Sequence, residues 1–314
     1  MAAARPLTGT VALVAGATRG AGRGIACMLG EAGATVYCTG RSVRGHPPTE
    51  GPFAGRPETI EETAEMVAAR GGSGIAVRAD HLVPEEVESL VGRIRRERRR
   101  LDVLVNDMSE GVLHDWKPFW RVDLEKGFRA LRQGVRSHVI TSHYAAPLMI
   151  ESGGRLIVEI TDGDFLGYRA TLFYDLVKMN VNRLAYAMAH DLAKHRIAAV
   201  AVTPGYMRTE AILDRFGVTE ADWRDAIKKD EHFAASETPF FVGRAVAALA
   251  ADPRLMEKSG GVFGSWTLAD EYGFSDVDGG RPHWGRHADA LGGNWAEDGR
   301  ILFGWTLTRR EGRA

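Results

Sequence analysis

The chain has 314 residues and a net charge of -1, and 45% of its residues are hydrophobic. That length admits one large α/β domain or two ordinary ones, and the hydrophobic share is typical of a globular core. Because the charge is close to zero, there is no global basic field, and we expect neither nucleic acid nor a membrane surface as a partner.

Local composition points to an ordinary cytoplasmic protein. The basic run Arg93–Arg100 ends a predicted helix, where cations are favoured, so we interpret it as a solvated helix end. Cys27 and Cys38 have no CxxC spacing and are expected to be buried thiols. The first residues are too short and too weakly apolar for a signal peptide, and no apolar stretch is long enough to span a membrane. No metal-binding motif occurs among the ten histidines.

Apolar, β-branched runs alternate with helical patterns along the chain. Strands that are apolar throughout and joined by helices indicate a parallel sheet covered on both faces. The predicted strands are Val11–Ala15, Thr35–Thr39, Ile75–Ala79, Val103–Val105, Leu156–Ile160, Ala199–Thr203 and a weaker Gly261–Thr267. The predicted helices lie near 21–32, 57–70, 84–99, 122–151 and 174–195. We therefore expect a doubly wound, Rossmann-type α/β sheet of about seven strands, with residues 1–314 forming one domain.

Two stretches depart from this compact pattern. Ser42–Gly55 is rich in glycine and proline and is predicted to be an inserted loop, with a helix starting at Pro57. The stretch from about Tyr272 to the end lacks periodicity. Three tryptophans in it favour an ordered tail, packed on the domain or on a neighbouring subunit: Trp284, Trp295 and Trp305.

The segment Val11–Gly33 combines an apolar strand, a glycine turn and a helix. The turn has the pattern Gly16-x3-Gly20-x-Gly22. A helix that begins at such a turn directs backbone N–H groups and the positive end of its dipole toward an anion. Glycines lack the Cβ that would keep a phosphate at a distance. A glycine turn alone is a weak indicator of nucleotide binding, so the rest of the chain has to support it.

The end of the second strand bears on the choice of nucleotide. An acidic residue there holds a ribose 2′-hydroxyl, whereas an arginine accommodates a 2′-phosphate. Here the position carries Arg41, and no acidic residue lies between Thr35 and Thr49. Arg19, inside the glycine turn, adds a second guanidinium. This favours NADP(H) over NAD(H); the alternative is that Arg41 is only a solvated strand-end residue.

Tyr174 and Lys178 are four residues apart at the start of a predicted helix and therefore share a face. A free phenol has a pKa near 10, and a nearby ammonium lowers it. Such a pair can pass a proton to or from a substrate oxygen. Because Tyr-x3-Lys also occurs by chance, a helix pair without a role is the alternative.

The order of these motifs resembles the short-chain dehydrogenase/reductase family over about residues 7–270. The matching segments are AGATRGAG at 15–22, YDLVK at 174–178 and TPGYMRT at 203–209. The resemblance implies that Tyr174 is the acid/base and that Lys178 binds the nicotinamide ribose and tunes Tyr174. It also places the three turn glycines near the pyrophosphate, Asp80 near the adenine, Asn106 near the adenosine ribose and Thr209 near the nicotinamide amide. The predicted cofactor-binding residues are Gly16, Thr18, Arg19, Gly20, Ala21, Gly22, Arg41, Ser42, Asp80, His81, Asn106, Asp107, Lys178, Pro204, Gly205 and Thr209.

The chain departs from the family pattern in two cofactor-side positions. The family's Asn-Asn-Ala-Gly after the fourth strand is here the segment Asn106–Ser109, with the bulky Met108 near the cofactor. The family's helix asparagine, which supports a proton-relay water, falls near Gly134. Ser137 or water alone is the predicted replacement.

The third departure concerns the catalytic serine, which the family has about a dozen residues before the tyrosine. Strand register puts Asp162 at that position, and a shift of one residue would put Thr161 there. An ionised Asp162 can only accept a hydrogen bond and would raise the pKa of Tyr174, whereas a protonated one can donate. A strand-end residue that caps a loop is the alternative for Asp162.

Residues 206–240 follow the sixth strand and, by resemblance, form a substrate lid. We expect a short helix in its first part and a second helix that starts at Thr219. Candidate apolar lining residues, each of which ordinary core packing would equally explain, are Phe165, Phe173, Tyr206, Met207, Phe216 and Trp223.

The sequence thus predicts an NADP(H)-dependent oxidoreductase that interconverts a carbonyl and an alcohol on a small molecule. One alternative is a non-redox isomerase or dehydratase that uses Asp162 and Tyr174. Another is a cofactor-binding regulatory protein without catalysis. By resemblance, the helices near 122–151 and 174–195 would pack against a second copy, giving a homodimer or homotetramer.

Overall fold

A computed structural model describes residues 5–49, 51, 53–109, 117–164 and 168–291. Its seven strands are parallel and lie in the order β3-β2-β1-β4-β5-β6-β7. They are β1 Val11–Ala15, β2 Thr35–Gly40, β3 Ser73–Arg78, β4 Val103–Asn106, β5 Leu156–Ile160, β6 Ala198–Thr203 and β7 Val262–Gly264. The central strands are buried on both faces, which explains why they are apolar throughout. The predicted fold class is confirmed.

Helices cover both faces of the sheet. They are α1 Gly20–Glu31, α2 Ile60–Ala69, α3 Pro84–Arg98, α4 Leu124–Leu131, α5 Ser137–Ser152, α6 Leu172–Leu192, α7 Glu210–Phe216, α8 Pro239–Ala251, α9 Ser265–Tyr272 and α10 Trp284–Ala290. One apolar cluster joins α1, α2 and α8 to the sheet, and a second joins α3, α5 and α6 to the opposite face. Cys27 and Cys38 are fully buried in the first cluster. No helix in the described part of the chain is long and apolar enough to cross a membrane.

Several predicted boundaries were wrong. Helix α2 begins at Ile60 because the Thr59 side chain caps it, so Pro57 precedes the helix. The predicted strand Gly261–Thr267 ends at Gly264, and its second half begins α9. Helix α8 had no amphipathic stripe to predict it, since it is buried on most of its surface.

The helical run predicted near 122–151 is interrupted. A π-type turn at Arg132–Arg136 separates α4 from α5. It contains Gly134, where an added Cβ would lie 2.6 Å from Val177 of α6. Such turns inside a helix occur frequently at functional sites.

The strand order reverses between β1 and β4, and ligands of such sheets bind outside the carboxyl ends of the strands near that point. The glycine turn, the segment after β4 and the loop after β5 all leave the sheet at this edge. Every predicted site residue on these segments therefore lies at one edge of the sheet.

The predicted lid forms a small apolar unit of its own. Its first part is α7, whereas Thr219 is followed by a 3₁₀ turn at Trp223–Lys228 instead of the predicted second helix. Helix α10, in the predicted tail, packs against the lid: the Trp284 ring stacks at 6.1 Å from the Tyr206 ring. Trp295 and Trp305 lie outside the described residues.

Candidate active site

The glycine turn is built by backbone contacts. The amides of Gly16 and Ala17 both donate to the carbonyl of Thr39 on β2, at 3.0 and 2.9 Å. Gly16 has a φ of +94°, and a Cβ there would lie 2.3 Å from the carbonyl oxygen of Asp107. Since side chains rarely adopt that φ and the neighbouring backbone leaves no space, only glycine fits this position. The turn is thus held by residues at the ends of β2 and β4, the two strands that neighbour β1.

An anion already sits at the amino end of α1. The Gly20 amide donates to Glu210 Oε2 at 3.0 Å, and Glu210 Oε1 lies 3.5 Å from Arg23 Nη1. This carboxylate comes from the first residue of α7 in the lid. Because the helix end and Arg23 attract one anionic group, the residues here fit a phosphate of a dinucleotide.

The two arginines expected to recognise a 2′-phosphate differ in their surroundings. Arg19 Nε lies 3.1 Å from Glu58 Oε2, and its guanidinium covers the Phe53 ring at 4.7 Å. Arg41 has a 55% exposed side chain, and its Nη1 is 3.9 Å from Asp80 Oδ2. Arg41 is therefore the less constrained of the two. A cleft of about 490 Å³ opens beside the glycine turn and is lined by Arg23, Arg44, Gly45, Pro57, Glu58, Thr59, Glu62 and Glu210.

Some predicted cofactor-binding side chains point into the protein. His81 is 3% exposed and bridges Thr39 of β2 and Thr141 of α5 through its two ring nitrogens, 2.8 Å each. The Asn106 amide donates to Ser142 of α5 and to Glu159 of β5. Any contact of His81 or Asn106 with a cofactor would therefore have to come from the backbone or from the unpartnered Asn106 Oδ1.

The remaining predicted cofactor-binding residues help to shape the same edge. The Thr18 carbonyl accepts from Arg23, and the Ser42 carbonyl accepts from the amide that begins α2. The Thr209 hydroxyl caps α7. The Pro204 carbonyl accepts from the Thr203 hydroxyl, and the Gly205 amide donates to a buried carboxylate, Glu237. Ala21 is buried in the first turn of α1.

Asp107 lies between the glycine turn and the lysine. Its carboxylate accepts from the Gly22 amide and feels the charge of Lys178. Burial raises its pKa to about 6, although Lys178, the Gly22 amide and His138 act in the opposite direction. An added Cβ at Gly22 would lie 2.9 Å from Asp107 Oδ2 and 2.3 Å from the Gly16 carbonyl oxygen. Asp107 thus connects the turn to the loop after β4.

The centre of the site is a three-residue network after β5. Tyr174, in the first turn of α6, donates its hydroxyl hydrogen bond to Asp162 Oδ2 at 2.6 Å. Arg169 Nη2 donates to the other oxygen, Asp162 Oδ1. Sequence reasoning missed Arg169 because no spacing motif links it to Asp162. The next residue, Ala170, has a φ of +56°, which is unusual for alanine. Both Asp162 oxygens accept, so the residue acts here as a carboxylate.

The electrostatics of this network favour a protonated tyrosine. Burial, then the Asp162 charge and the hydrogen bond to it, raise the pKa of Tyr174 well above its ordinary value. Burial lowers the pKa of Lys178, while the charges of Asp162 and Asp107 oppose that change. Lys178 Nζ lies 5.7 Å from the centre of the Tyr174 ring. The sequence predicted opposite effects of Lys178 and of an ionised Asp162 on the pKa of Tyr174. Burial and Asp162 outweigh the lysine, so that pKa is raised.

The residues that the sequence left as alternatives differ in their contacts. The Thr161 hydroxyl donates to the backbone carbonyl of Lys178 at 3.2 Å, whereas Asp162 contacts the Tyr174 hydroxyl. The Ser137 hydroxyl donates to the Gln133 carbonyl inside its own helix. The geometry therefore brings Asp162 to the tyrosine and leaves Thr161 and Ser137 engaged elsewhere.

Most aromatic candidates for lining the substrate site pack inside the protein. Trp223 belongs to the apolar core of the lid, and Phe216 and Tyr206 pack against that core. Phe173 is 6% exposed and contacts the Phe128 ring at 5.9 Å. Met207 pairs through its backbone with Glu237. Phe165 lies outside the described residues, and within the described part of the chain no cluster of three metal-ligating side chains occurs.

Comparison with known proteins decides the family. The sequence profile of the short chain dehydrogenase family matches residues 10–215. The chain belongs to the short-chain dehydrogenase/reductase family. "Dehydrogenase/reductase SDR family member 1" of Mus musculus is 36% identical over 280 residues, which cover 87% of this chain and 85% of that protein. Members of this family are oxidoreductases that bind a nicotinamide cofactor and small-molecule substrates.

Solved structures of this family have the same fold. A short chain dehydrogenase from Mycobacterium thermoresistibile superposes with a TM-score of 0.73 at 21% identity, covering 89% of this chain and 92% of that one. A protein from Beutenbergia cavernae, provisionally described as an NAD(P) dependent gluconate 5-dehydrogenase, carries NADP at low occupancy. It has a TM-score of 0.64 at 27% identity, covering 82% of this chain and 96% of that one.

Proposed function

We propose that this short-chain dehydrogenase/reductase uses NADP(H) to interconvert a carbonyl and an alcohol on a small molecule. The observation that carries the proposal is the Tyr174 hydroxyl, held by Asp162 beside Lys178 at the same sheet edge as the glycine turn. A proton donor next to a dinucleotide site is what carbonyl reduction requires. The NADP in the B. cavernae protein supports the choice of cofactor by relationship.

The cofactor would be held by the glycine turn and the arginines around it. Gly20 and Arg23 would bind a phosphate in place of the Glu210 carboxylate, and Arg41 would turn from Asp80 toward a 2′-phosphate. Lys178 would bind the nicotinamide ribose, as in the family. When bound, a nicotinamide dinucleotide supplies or takes up the hydride.

Tyr174 would donate the proton to the substrate oxygen. Its hydrogen now points to Asp162, so donation requires that the hydroxyl turn from the carboxylate to the substrate. The resulting phenolate would lie beside a negative charge, and the guanidinium of Arg169 compensates that charge by pairing with Asp162. Arg169 therefore makes an aspartate tolerable where the family has a serine.

The protonation of Tyr174 affects carbonyl reduction and alcohol oxidation differently. Because burial and Asp162 raise its pKa well above the ordinary value, the phenol keeps its proton at neutral pH. It is then an acid, which serves carbonyl reduction. Alcohol oxidation needs the phenolate, so its rate should rise with pH into the alkaline range.

Calorimetric titration with NADPH and with NADH tests the cofactor. We expect NADPH to bind at least about tenfold tighter, or about 1.4 kcal/mol. Arg41→Ala should remove that difference, whereas Arg93→Ala, on the surface of α3, should not. Tighter binding of NADH would contradict the role of Arg41. Binding of neither cofactor would reject the oxidoreductase proposal.

A non-redox enzyme on the same scaffold is the second candidate, favoured by the carboxylate that Asp162 presents to Tyr174. In that case a proton would be abstracted or moved without hydride transfer, and Asp162→Ser would abolish the reaction. For an oxidoreductase, Asp162→Ser should retain NADPH-dependent reduction, since serine donates a neutral hydrogen bond to the substrate oxygen. Assaying the variant on carbonyl substrates with and without NADPH distinguishes the two.

We further propose that two copies associate through α4, α5 and α6. These helices expose large apolar side chains that a second copy would cover: Leu124, Phe128, Val139, Ile150 and Leu176. Light scattering on the purified protein should give at least the mass of a dimer, and Phe128→Glu should reduce it. A monomer at micromolar concentration would contradict this.

A further inference from the structure

A buried ion pair lies behind the active site, in a position that the proposed mechanism does not use. Glu159, the residue before the last of β5, is 0% exposed, and His138, in the first turn of α5, is 2% exposed. His138 Nδ1 is 2.5 Å from Glu159 Oε2, and His138 Nε2 is 2.9 Å from the Met108 carbonyl oxygen. Buried charged groups are uncommon unless they are paired, so this pair calls for an explanation.

The hydrogen-bond partners define the charge of His138. The Met108 carbonyl can only accept, so Nε2 must carry a hydrogen. If Glu159 is ionised it also only accepts, so Nδ1 would carry a hydrogen too and the ring would be an imidazolium. The second oxygen of Glu159 accepts from the Asn106 side-chain amide at 2.6 Å, as expected for a carboxylate. Burial lowers the pKa of His138, but Glu159 and the Met108 carbonyl together raise it above its ordinary value.

The pair holds the segment after β4 at two points. Glu159 binds the side chain of Asn106, and His138 binds the carbonyl of Met108. Between these two lies Asp107, whose carboxylate accepts from the Gly22 amide of the glycine turn. Its backbone carbonyl packs against Gly16. Because the ends of the segment are fixed by the ion pair, Asp107 is fixed between the glycine turn and Lys178.

We propose that His138 and Glu159 are positioning residues that hold Asn106–Met108, and through Asp107 the glycine turn, in the geometry that binds the cofactor. Loss of the proton on His138 Nε2, with Nδ1–H still donating to Glu159, would leave the Met108 carbonyl without its donor and loosen this segment. The effect on cofactor affinity rests on the proposed function.

The pH dependence has a definite sign. The groups that face His138 are Glu159 from β5, Met108 and Asp107 from the segment after β4, Lys178 from α6 and His81 from the loop after β3. A histidine whose pKa is raised on folding stabilises the protein fully below pH 6.5. That contribution is lost as pH rises through the raised value. Cofactor affinity should fall over the same interval.

The first measurement is made on the unmodified protein. Long-range ¹H–¹⁵N correlation spectra of the histidine rings should show one buried ring with both nitrogens protonated at pH 6.5, where a free histidine is half neutral. His138→Gln identifies that signal by its loss. A buried His138 with a single ring proton at that pH would overturn the proposal, whether or not any variant folds.

The second measurement is the dissociation constant for NADPH between pH 5.5 and 9. His138→Phe and the conservative Glu159→Gln should weaken binding by about tenfold or more near pH 6, the scale of one charge-assisted hydrogen bond, and flatten the pH dependence. His143→Gln is the matched control, because His143 is exposed on the same helix. Variants that fold and keep the affinity and pH profile of the unmodified protein would reject the positioning role.

The two proposals fail in different ways. If the unmodified protein binds neither NADPH nor NADH, the proposed function fails, while the ring spectra still decide the charge of His138. If it binds NADPH but the His138 and Glu159 variants bind equally well, the cofactor assignment stands and the positioning role does not.

Discussion

The glycine turn after β1 and the loop after β5 lie at the same edge of the sheet, but they are built differently. The turn is a backbone structure: its amides bind the Thr39 carbonyl, and its glycines leave room for the Asp107 backbone. The loop is a side-chain structure, in which Tyr174, Asp162 and Arg169 form one network. One region follows the family pattern, whereas the other has Asp162 where strand register predicts the family's catalytic serine.

This difference shows which part of a site can change without loss of the fold. Backbone geometry that depends on glycines tolerates little substitution, because a Cβ at Gly16 or Gly22 would overlap main-chain atoms at 2.3 Å. A side-chain network can exchange one member if another compensates, as Arg169 does for the charge of Asp162. The scaffold therefore follows the family pattern, and the loop after β5 is where we expect the chemistry of this member to differ.

Removal of the Tyr174 hydroxyl should have the largest effect on turnover. Tyr174→Phe should lower the turnover number for NADPH-dependent carbonyl reduction by about 10²–10⁴-fold, since it removes the proton donor. The affinity for NADPH should change little because the glycine turn is untouched. Steady-state kinetics together with calorimetry check both. Tyr168→Phe, which alters an exposed tyrosine outside the network, is the control.

Gly22→Ala should distort the glycine turn and leave the network of Tyr174, Asp162 and Arg169 unchanged. The new Cβ would meet the Gly16 carbonyl at 2.3 Å and the Asp107 carboxylate at 2.9 Å, so the turn must shift. We expect at least about tenfold weaker NADPH binding. Gly92→Ala, on α3, is the matched control because its Cβ meets only a flexible arginine side chain. Unchanged affinity in Gly22→Ala would show that the turn does not bind the cofactor.

Glu210→Gln should raise the affinity for NADPH, because it removes the carboxylate that occupies the anion site of the glycine turn. A phosphate must displace Glu210 from the Gly20 amide and from Arg23, so the neutral variant should bind NADPH about 2–5-fold tighter. Glu62→Gln is the matched control: Glu62 pairs with the same arginine at 2.6 Å but does not contact Gly20. Weaker binding in Glu210→Gln would mean that the carboxylate supports the cofactor site.

A buried carboxyl under the loop after β6 bears on stability and not on catalysis. Burial raises the pKa of Glu237 to about 8, although Ser265 and the Gly205 amide donate to it. The folded protein therefore binds this proton more tightly than the unfolded chain, and stability falls as pH rises from about 4.5 to 8. Glu237→Gln should remove that part of the pH dependence. Thermal melts at pH 5 and pH 8 measure it; an equal slope in both proteins would contradict the assignment.

Much of the scaffold could be predicted because its signals are local. The strand runs were apolar over their whole length, and the strand–glycine–helix order of residues 11–33 is contiguous in the chain. Helix α8 escaped prediction because burial on most of its surface removes the amphipathic period. The π-type turn at Arg132–Arg136 was not predicted, because this interruption of the helix depends on close packing of Gly134 against Val177 of α6.

For the site, the sequence alone supplied the glycine turn, Tyr174 four residues before Lys178 and, by resemblance to the family, two candidates for the serine position, Asp162 and Thr161. These follow from spacing along one element or from strand register. Tertiary structure alone decided the partners, because they come from separate segments. Arg169 folds back onto Asp162, Glu210 reaches Gly20 from the lid, and the Glu159–His138 pair joins β5 to α5. The charge that each group carries depends on burial and on those partners, and neither is encoded in local spacing.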